Sequence, residues 1–247
     1  MATFTISVDL MGGDDAPKTV VEGLVLCRKQ YPHIHFLLYG TEEIVAPYRH
    51  HFDDGMTFIP TTEVITADAK PSAAVRGSKN SSMRLAIEAV KEGKAQGVVS
   101  AGNTGAYMAL SKMILKTIEG IDRPAIMAVM PTCKEDAIVL DLGANVECSV
   151  ENLVQFAMMG DAYARYVLER PNPSVGLLNI GSEDLKGKVT VKEASRILSE
   201  NGVLQNFYGF VEGDDVGRGT TDVVVTDGFT GNVMLKAIEG AASLIKT

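Results

Sequence analysis

The sequence predicts an α/β fold built on a mostly parallel sheet with helices on both faces. Three observations carry this. Five apolar runs each end in a short loop of small and polar residues and lead into a helical pattern; the loops read DLMGGD, SAGNTG, DLGAN, NIGSE and DGFTGN. Runs such as AIVL at 137–140 and VVV at 223–225 are continuously apolar, as strands covered on both faces are. The alternation is sustained over 247 residues, 46% of them hydrophobic and 22% charged, enough chain to enclose a sizeable core. No linker separates one part from another, so the chain reads as a single domain over residues 1–247.

Taken in order, FTISVD (4–9) is a first strand, and Gly12 and Gly13 give the sharp turn after it. Pro17 suits the opening of the helix KTVVEGLVLCRKQ. HFLLY (35–39) is a second strand, followed by a short helix within EEIVAPYRHH and a strand near Phe58. Residues 69–87 contain Lys70, Arg76, Lys79 and Arg84 and no acid; the first half reads as loop, and Ser81 or Ser82 caps a helix over MRLAIEAVKEG. Residues 97–105, GVVSAGNTG, organise the chain: a β-branched strand, a small-residue turn and the helix AYMALSKMILK. A strand follows at 124–131, then a strand ending in a small-residue loop over 137–145, a helix over roughly 149–169, a strand and loop over 174–183, a helix over 190–202 and a strand and turn over 206–215. A last strand and loop at 222–232 lead into the terminal helix VMLKAIEGAASLIK.

Charge and composition exclude several classes. A net charge of −8 is a poor match to a nucleic-acid binder, so any anion must meet locally concentrated cations. Three cysteines, Cys27, Cys133 and Cys148, lack the spacing of a zinc site or a disulfide framework. The first residues lack a signal-peptide pattern and no run approaches a membrane span, which points to the cytoplasm.

Named motifs are mostly rejected. GxGxxG is absent from the first turn, where MGGDD stands. A Walker-like string from Gly181 to Lys188 has one residue too many, and Val189 replaces the required Ser or Thr. Ser100 lacks the first glycine of a nucleophile elbow, and all four histidines, His33, His35, His50 and His51, precede it, against hydrolase order. No His/Cys cluster suggests a metal, and no cofactor is expected. What remains is a set of amides, hydroxyls, carboxylates and nearby lysines, suited to holding an anion and stabilising an oxyanion. Loops at the carboxyl ends of parallel strands form the ligand crevice, so these five are expected to converge on one site. Taken one at a time, Lys186, Lys188 and Lys236 read as helix-surface cations.

VDLMGGDDAP, VVSAGNTGA, DLGAN, VGLLNIGSEDLKGK and DVVVTDGFTGNVMLKAIEG, in this order, resemble the PlsX-type phosphate acyltransferases over nearly the whole chain. The resemblance implies an α/β/α three-layer sandwich like that of the isocitrate and isopropylmalate dehydrogenases. It implies that inorganic phosphate attacks the thioester of acyl-[acyl carrier protein], giving acyl phosphate for bacterial phospholipid synthesis. It also implies a homodimer without nucleic-acid partners. Members of the family continue past Thr247 with a further strand and helix and an amphipathic segment that contacts the inner face of the membrane. A CoA-dependent phosphate acetyltransferase and a non-catalytic carrier-protein scaffold are the alternatives.

Loop position and resemblance together assign Asn103, Thr104, Asn232 and Lys236 to catalysis. They assign Gly12, Gly13, Asp14, Ser100, Gly102, Gly105, Asn145, Asn179, Lys186, Lys188 and Asp227 to phosphate or substrate binding. Arg76 and Lys79 are expected to meet the phosphate or the acidic carrier protein. Asp9, Asp14, Asp141 and Asp227 are expected to orient loops and cations rather than to act as bases.

Overall fold

A computed structural model describes residues 4–183, 185–200 and 202–246, with residue 246 described by its backbone alone. Asn201, placed by its sequence in the helix ending at Gly202, lies outside the described residues. The chain divides into two compact units, Met1–Thr117 and Ile118–Thr247.

The first unit runs β1 (Phe4–Asp9), α1 (Lys18–Gln30), β2 (Ile34–Thr41), α2 (Glu42–Val45), a 3-10 turn (Ala46–His51), β3 (Met56–Thr61), α3 (Pro71–Gly77), α4 (Ser82–Lys91), β4 (Gly97–Ser100) and α5 (Thr104–Leu115). Its four strands are parallel, in the order β3-β2-β1-β4. Strand periodicity divides the residues between two faces. Val8, Phe36 and Leu38 pack with Val21 and Leu24 of α1. On the other face Tyr39 packs with Ala86 and Ala89 of α4. Ser7, fully buried there, donates its hydroxyl to the Ala86 carbonyl at 2.7 Å, which offsets the cost of burying it. A third cluster joins Ile65, Met83, Ile87, Ala106, Leu110 and Ile114.

The second unit runs β5 (Met127–Met130), β6 (Ala137–Leu140), α6 (Val150–Tyr166), β7 (Val175–Leu178), α7 (Val189–Glu200), β8 (Phe207–Val211), α8 (Gly213–Arg218), β9 (Val223–Val225) and α9 (Gly228–Lys246). The sheet order is β5-β6-β9-β7-β8, with β5 antiparallel to β6 and the other pairs parallel. Ile138, Leu140, Val223 and Val225 face Leu153, Phe156 and Ala157 of α6. Val139 and Val224 face the other way, toward Val216 of α8 and Met234 and Leu235 of α9. Strands with both faces buried explain the continuously apolar runs in the sequence.

The α/β class and the parallel pairing hold; the single sheet does not. Apolar periodicity records that a strand is buried, not which strand lies beside it, so two sheets look like one in the sequence. Ser81 caps α4 by accepting from the Arg84 amide, as its position predicts. The loop expected before it contains α3, which opens on Pro71. The terminal helix starts at Gly228, five residues before the apolar stripe that marks it in the sequence, so Asn232 is helical. The short α8 had no sequence signal beyond its acidic first turn.

Ser149 accepts from the Asn152 amide while the Asn152 side chain accepts from the Ser149 amide, a reciprocal cap on the longest core-facing helix of this unit's first face. Ser149→Ala should lower stability by about 1 kcal/mol, read from the urea midpoint. An unchanged midpoint would show that the cap contributes nothing.

Candidate functional site

In the first unit the chain leaves β1 toward β2 on one side and returns as β4 on the other. The switch point, where ligands settle in such sheets, therefore lies between β1 and β4. There the loop after β1 meets the loop after β4. A Cβ on Gly12 would stand 2.5 Å from the Gly102 amide nitrogen, so only glycine permits this approach. Asp9, almost fully buried, accepts from the Met11 amide at 3.1 Å and from the Ser100 hydroxyl at 2.7 Å. The Ser100 oxygen accepts in turn from the Gly102 amide at 3.1 Å. Ser100 and Gly12 thus join the two loops.

Asn103 caps α5. Its Oδ1 accepts from the Ala106 amide at 2.8 Å, and its Nδ2 donates to the Ala67 carbonyl at 2.6 Å and the Ala69 carbonyl at 3.2 Å. The side chain expected to donate to a substrate oxyanion spends its donors on the chain itself. Gly105 lies under Pro71, with 3.0 Å between its would-be Cβ and the ring. The amides of Thr104 and Gly105, the first two of α5, have no acceptor among the described residues. They lie at the positive end of the helix. Beside them is a cleft of about 620 Å³ lined by Gly13, Asp14, Thr66, Gly102, Asn103 and Thr104, among others. Arg76 donates to the Ser72 carbonyl at 3.1 Å on the exposed side of α3, and Lys79 is exposed just beyond it.

The second unit has its own loop cluster at the carboxyl ends of β6, β7 and β9. Asp141, fully buried, accepts on Oδ1 from the amides of Ile126, Gly143 and Ala144 at 3.0, 3.2 and 3.0 Å. Its Oδ2 accepts from the Asn145 amide at 2.7 Å and the Asn145 side chain at 2.9 Å. Asn145 Nδ2 also donates to the Pro124 carbonyl at 2.8 Å. Asn145 is therefore a buried brace, not a substrate donor. Its carbonyl accepts from the Gly228 amide at 2.8 Å, which docks the start of α9 on this loop. Cys148 donates its thiol to the same carbonyl at 3.6 Å, and burial pushes that thiol up to about 11.

Asp227 accepts from the Thr230 amide at 2.8 Å and from Lys188 Nζ at 2.7 Å. Burial alone would raise its carboxyl; the Lys188 ammonium and the Thr230 donors outweigh burial and hold it below the usual carboxylate range. Asn179 donates to the carbonyls of Gly181 and Lys186, both at 3.1 Å, and closes the loop after β7. Lys186 pairs with Glu183, and Lys236 with Glu239, both at 2.7 Å on exposed surface. These two lysines have local partners instead of a shared anion. Asn232 is exposed near Gly143. Thr230 is the residue sequence reasoning missed here; its place three residues after Asp227, at a helix start, was the available signal. The Ala67 and Ala69 carbonyls left no signal at all.

A family model described as "Fatty acid synthesis protein" matches residues 4–247. The phosphate acyltransferase of Rhodospirillum rubrum is 54% identical over 245 residues, covering 98% of this chain and 70% of its own. That of Paramagnetospirillum magneticum is 51% identical over 249 residues, covering 100% of this chain and 71% of its own. The chain belongs to the PlsX-type phosphate acyltransferase family. Among solved structures, the EutD phosphotransacetylase from Staphylococcus aureus matches with a TM-score of 0.66 at 20% identity, covering 98% of this chain and 83% of its own. A branched-chain phosphotransacylase from Enterococcus faecalis matches with a TM-score of 0.61 at 15% identity, covering 96% of this chain and 84% of its own. These likenesses show that the family's fold is shared with phosphotransacylases.

The Lys188–Asp227 pair has a pH signature. A carboxyl held below its unfolded value stabilises the fold above the unfolded range, near pH 4, and that contribution is lost as pH falls through the folded value. Asp227→Asn keeps an oxygen for the Thr230 amide and removes the charge. Its stability deficit against the parent should shrink as the pH drops below about 4. A deficit of equal size in acid and at neutrality would overturn this.

Proposed function

We propose that the chain transfers an acyl group from acyl-[acyl carrier protein] to inorganic phosphate. A phosphate oxygen attacks the thioester carbonyl carbon, and the carbonyl π pair moves onto its oxygen. The tetrahedral intermediate then expels the carrier thiolate, leaving acyl phosphate. Phosphate is already nucleophilic near neutral pH and the thiolate is a good leaving group. The protein's task is therefore to bind, orient and desolvate. Relatives at about half identity named phosphate acyltransferase support this reading. The likeness to a phosphotransacetylase is one of fold, so a CoA-dependent acetyl transfer is not favoured.

One observation carries the phosphate assignment: the amides of Thr104 and Gly105 open at the first turn of α5 without an acceptor among the described residues. Such a turn offers N–H groups and a favourable dipole to an anion. Thr104 adds a hydroxyl. Asn103 is a positioning residue that fixes this turn through its three hydrogen bonds. Gly13, Asp14 and Gly102 shape the cleft in front of it. Arg76 and Lys79, exposed in a stretch without acids, offer cations to an acidic carrier protein. The family reading also carries a homodimer in the cytoplasm that touches the inner membrane surface. No helix among the described residues is long and apolar enough to cross a membrane.

The test is thiol release from acyl-[acyl carrier protein] with and without phosphate, with hydroxylamine trapping the acyl phosphate. Proline is tolerated at a first helical position, and Asn103, at φ −57° and ψ 110°, already has the backbone that precedes one. Thr104→Pro therefore deletes one amide donor and the hydroxyl without breaking α5, and Thr104→Ala deletes the hydroxyl alone. Thr104→Pro should raise the KM for phosphate by about tenfold or more beyond Thr104→Ala. Equal KM values in the two variants would place the phosphate elsewhere.

A further inference from the structure

Resting on that transfer reading, we infer that the cleft of the second unit between α7 and α9 seats the acyl chain, and that Leu178, Val191 and Met234 set its accepted length. The cleft holds about 700 Å³ over the carboxyl ends of β7 and β9, within the range of sites that enclose a small ligand. Its charged groups are gathered: Lys188 and Thr230 both bond to the Asp227 carboxylate, and Asn179, the polar residue on the opposite wall, spends its amide on the Gly181 and Lys186 carbonyls. The rest of the wall includes Leu178, Ile180, Val191, Val233 and Met234, all apolar. Such a wall fits an amphipathic molecule with one polar end and an unbranched hydrocarbon tail. Free phosphate would have no use for the apolar part.

The floor is firm and the rim is bare. Leu178 and Met234 pack with Val211 and Val216 on one side of the sheet, and Val191 belongs to the α6 cluster on the other. Packed side chains of this kind give a cleft a fixed depth. At the rim Ile180 is 78% exposed and Val233 54% exposed, apolar surface that water meets and a bound tail would cover. Gly213 lines the same cleft, and a Cβ placed there meets nothing within 4 Å. A side chain at this position therefore starts from open space at the edge of the cleft.

The experiment measures kcat/KM for acetyl, octanoyl and palmitoyl thioesters of the carrier protein at saturating phosphate. It compares the parent chain with Gly213→Phe and with Val233→Asp, which places a charge on a rim position already open to water. The parent should gain up to about fourfold per added methylene until the cleft is full. Both variants should flatten that gain for the long chains and leave acetyl turnover unchanged. A parallel titration with a fluorescent medium-chain fatty acid, read without turnover, should show binding to the parent and weakened binding to both variants. If acyl transfer proceeds and the variants keep the parent's chain-length profile, the cleft assignment is overturned and the transfer reading stands. If the parent turns over no thioester but binds the probe, and both variants lose it, the transfer reading fails and the apolar site stands. If the parent does not bind the probe, the inference falls.

Discussion

A carboxylate buried without a cation must be met by N–H groups, and at Asp141 five of them converge. The arrangement at the carboxyl edge of the second sheet depends on that requirement. The bonds curl residues 142–145 around one side chain and draw in the chain ahead of β5 through Ile126. The Asn145 brace then presents its carbonyl to the start of α9. Nearby, a Cβ on Gly231 would collide with the Asp141 carbonyl, so glycine lets the first turn of α9 lie directly on this loop. Asp9 does a smaller version of the same work at the end of β1, and Asp227 does it at the end of β9. An aspartate leaving a parallel strand is a device for folding the next loop back over the strand ends.

The sequence shows this device without showing its direction. DLMGG, DLGAN and TDGFTG are legible as loops because small residues, aspartate and asparagine in that pattern cannot continue a strand. The same chemistry serves two ends, however. An asparagine that caps a helix and one that holds a phosphate have the same donors and acceptors. Asn103 and Asn145 turn theirs inward because carbonyls at Ala67, Ala69 and Pro124 happen to lie within reach. Backbone carbonyls supplied by distant segments carry no side-chain signal, so this part of the site was not readable.

The fold was legible wherever a local rule decided it. Serine caps, proline at a helix start and continuous apolar strands all act within a few residues, and Ser81 sits where such a rule puts it, whereas Ser149, read as the first residue of its helix, is the cap. Strand order is a long-range property. β9 comes last in the chain yet lies between β6 and β7, and nothing in VVV says so. The same limit explains the single sheet expected where there are two. The start of α9 was misplaced for a different reason: its first turn is fixed by Asp227 and by glycines packed on the Asp141 loop, not by an apolar stripe.

The burial of Cys148 has a chemical use. With its thiol pushed up to about 11 by burial, Cys148 carries little thiolate at neutral pH. Cys133 is exposed. A thiol-directed reagent will therefore mark Cys133 long before Cys148. Slow reaction at Cys148 then becomes a clock for the opening of the 141–149 loop, since burial is what holds that thiol back. Cys133 and Cys148 thus provide an internal standard and a reporter in the native sequence, beside the half-buried Cys27.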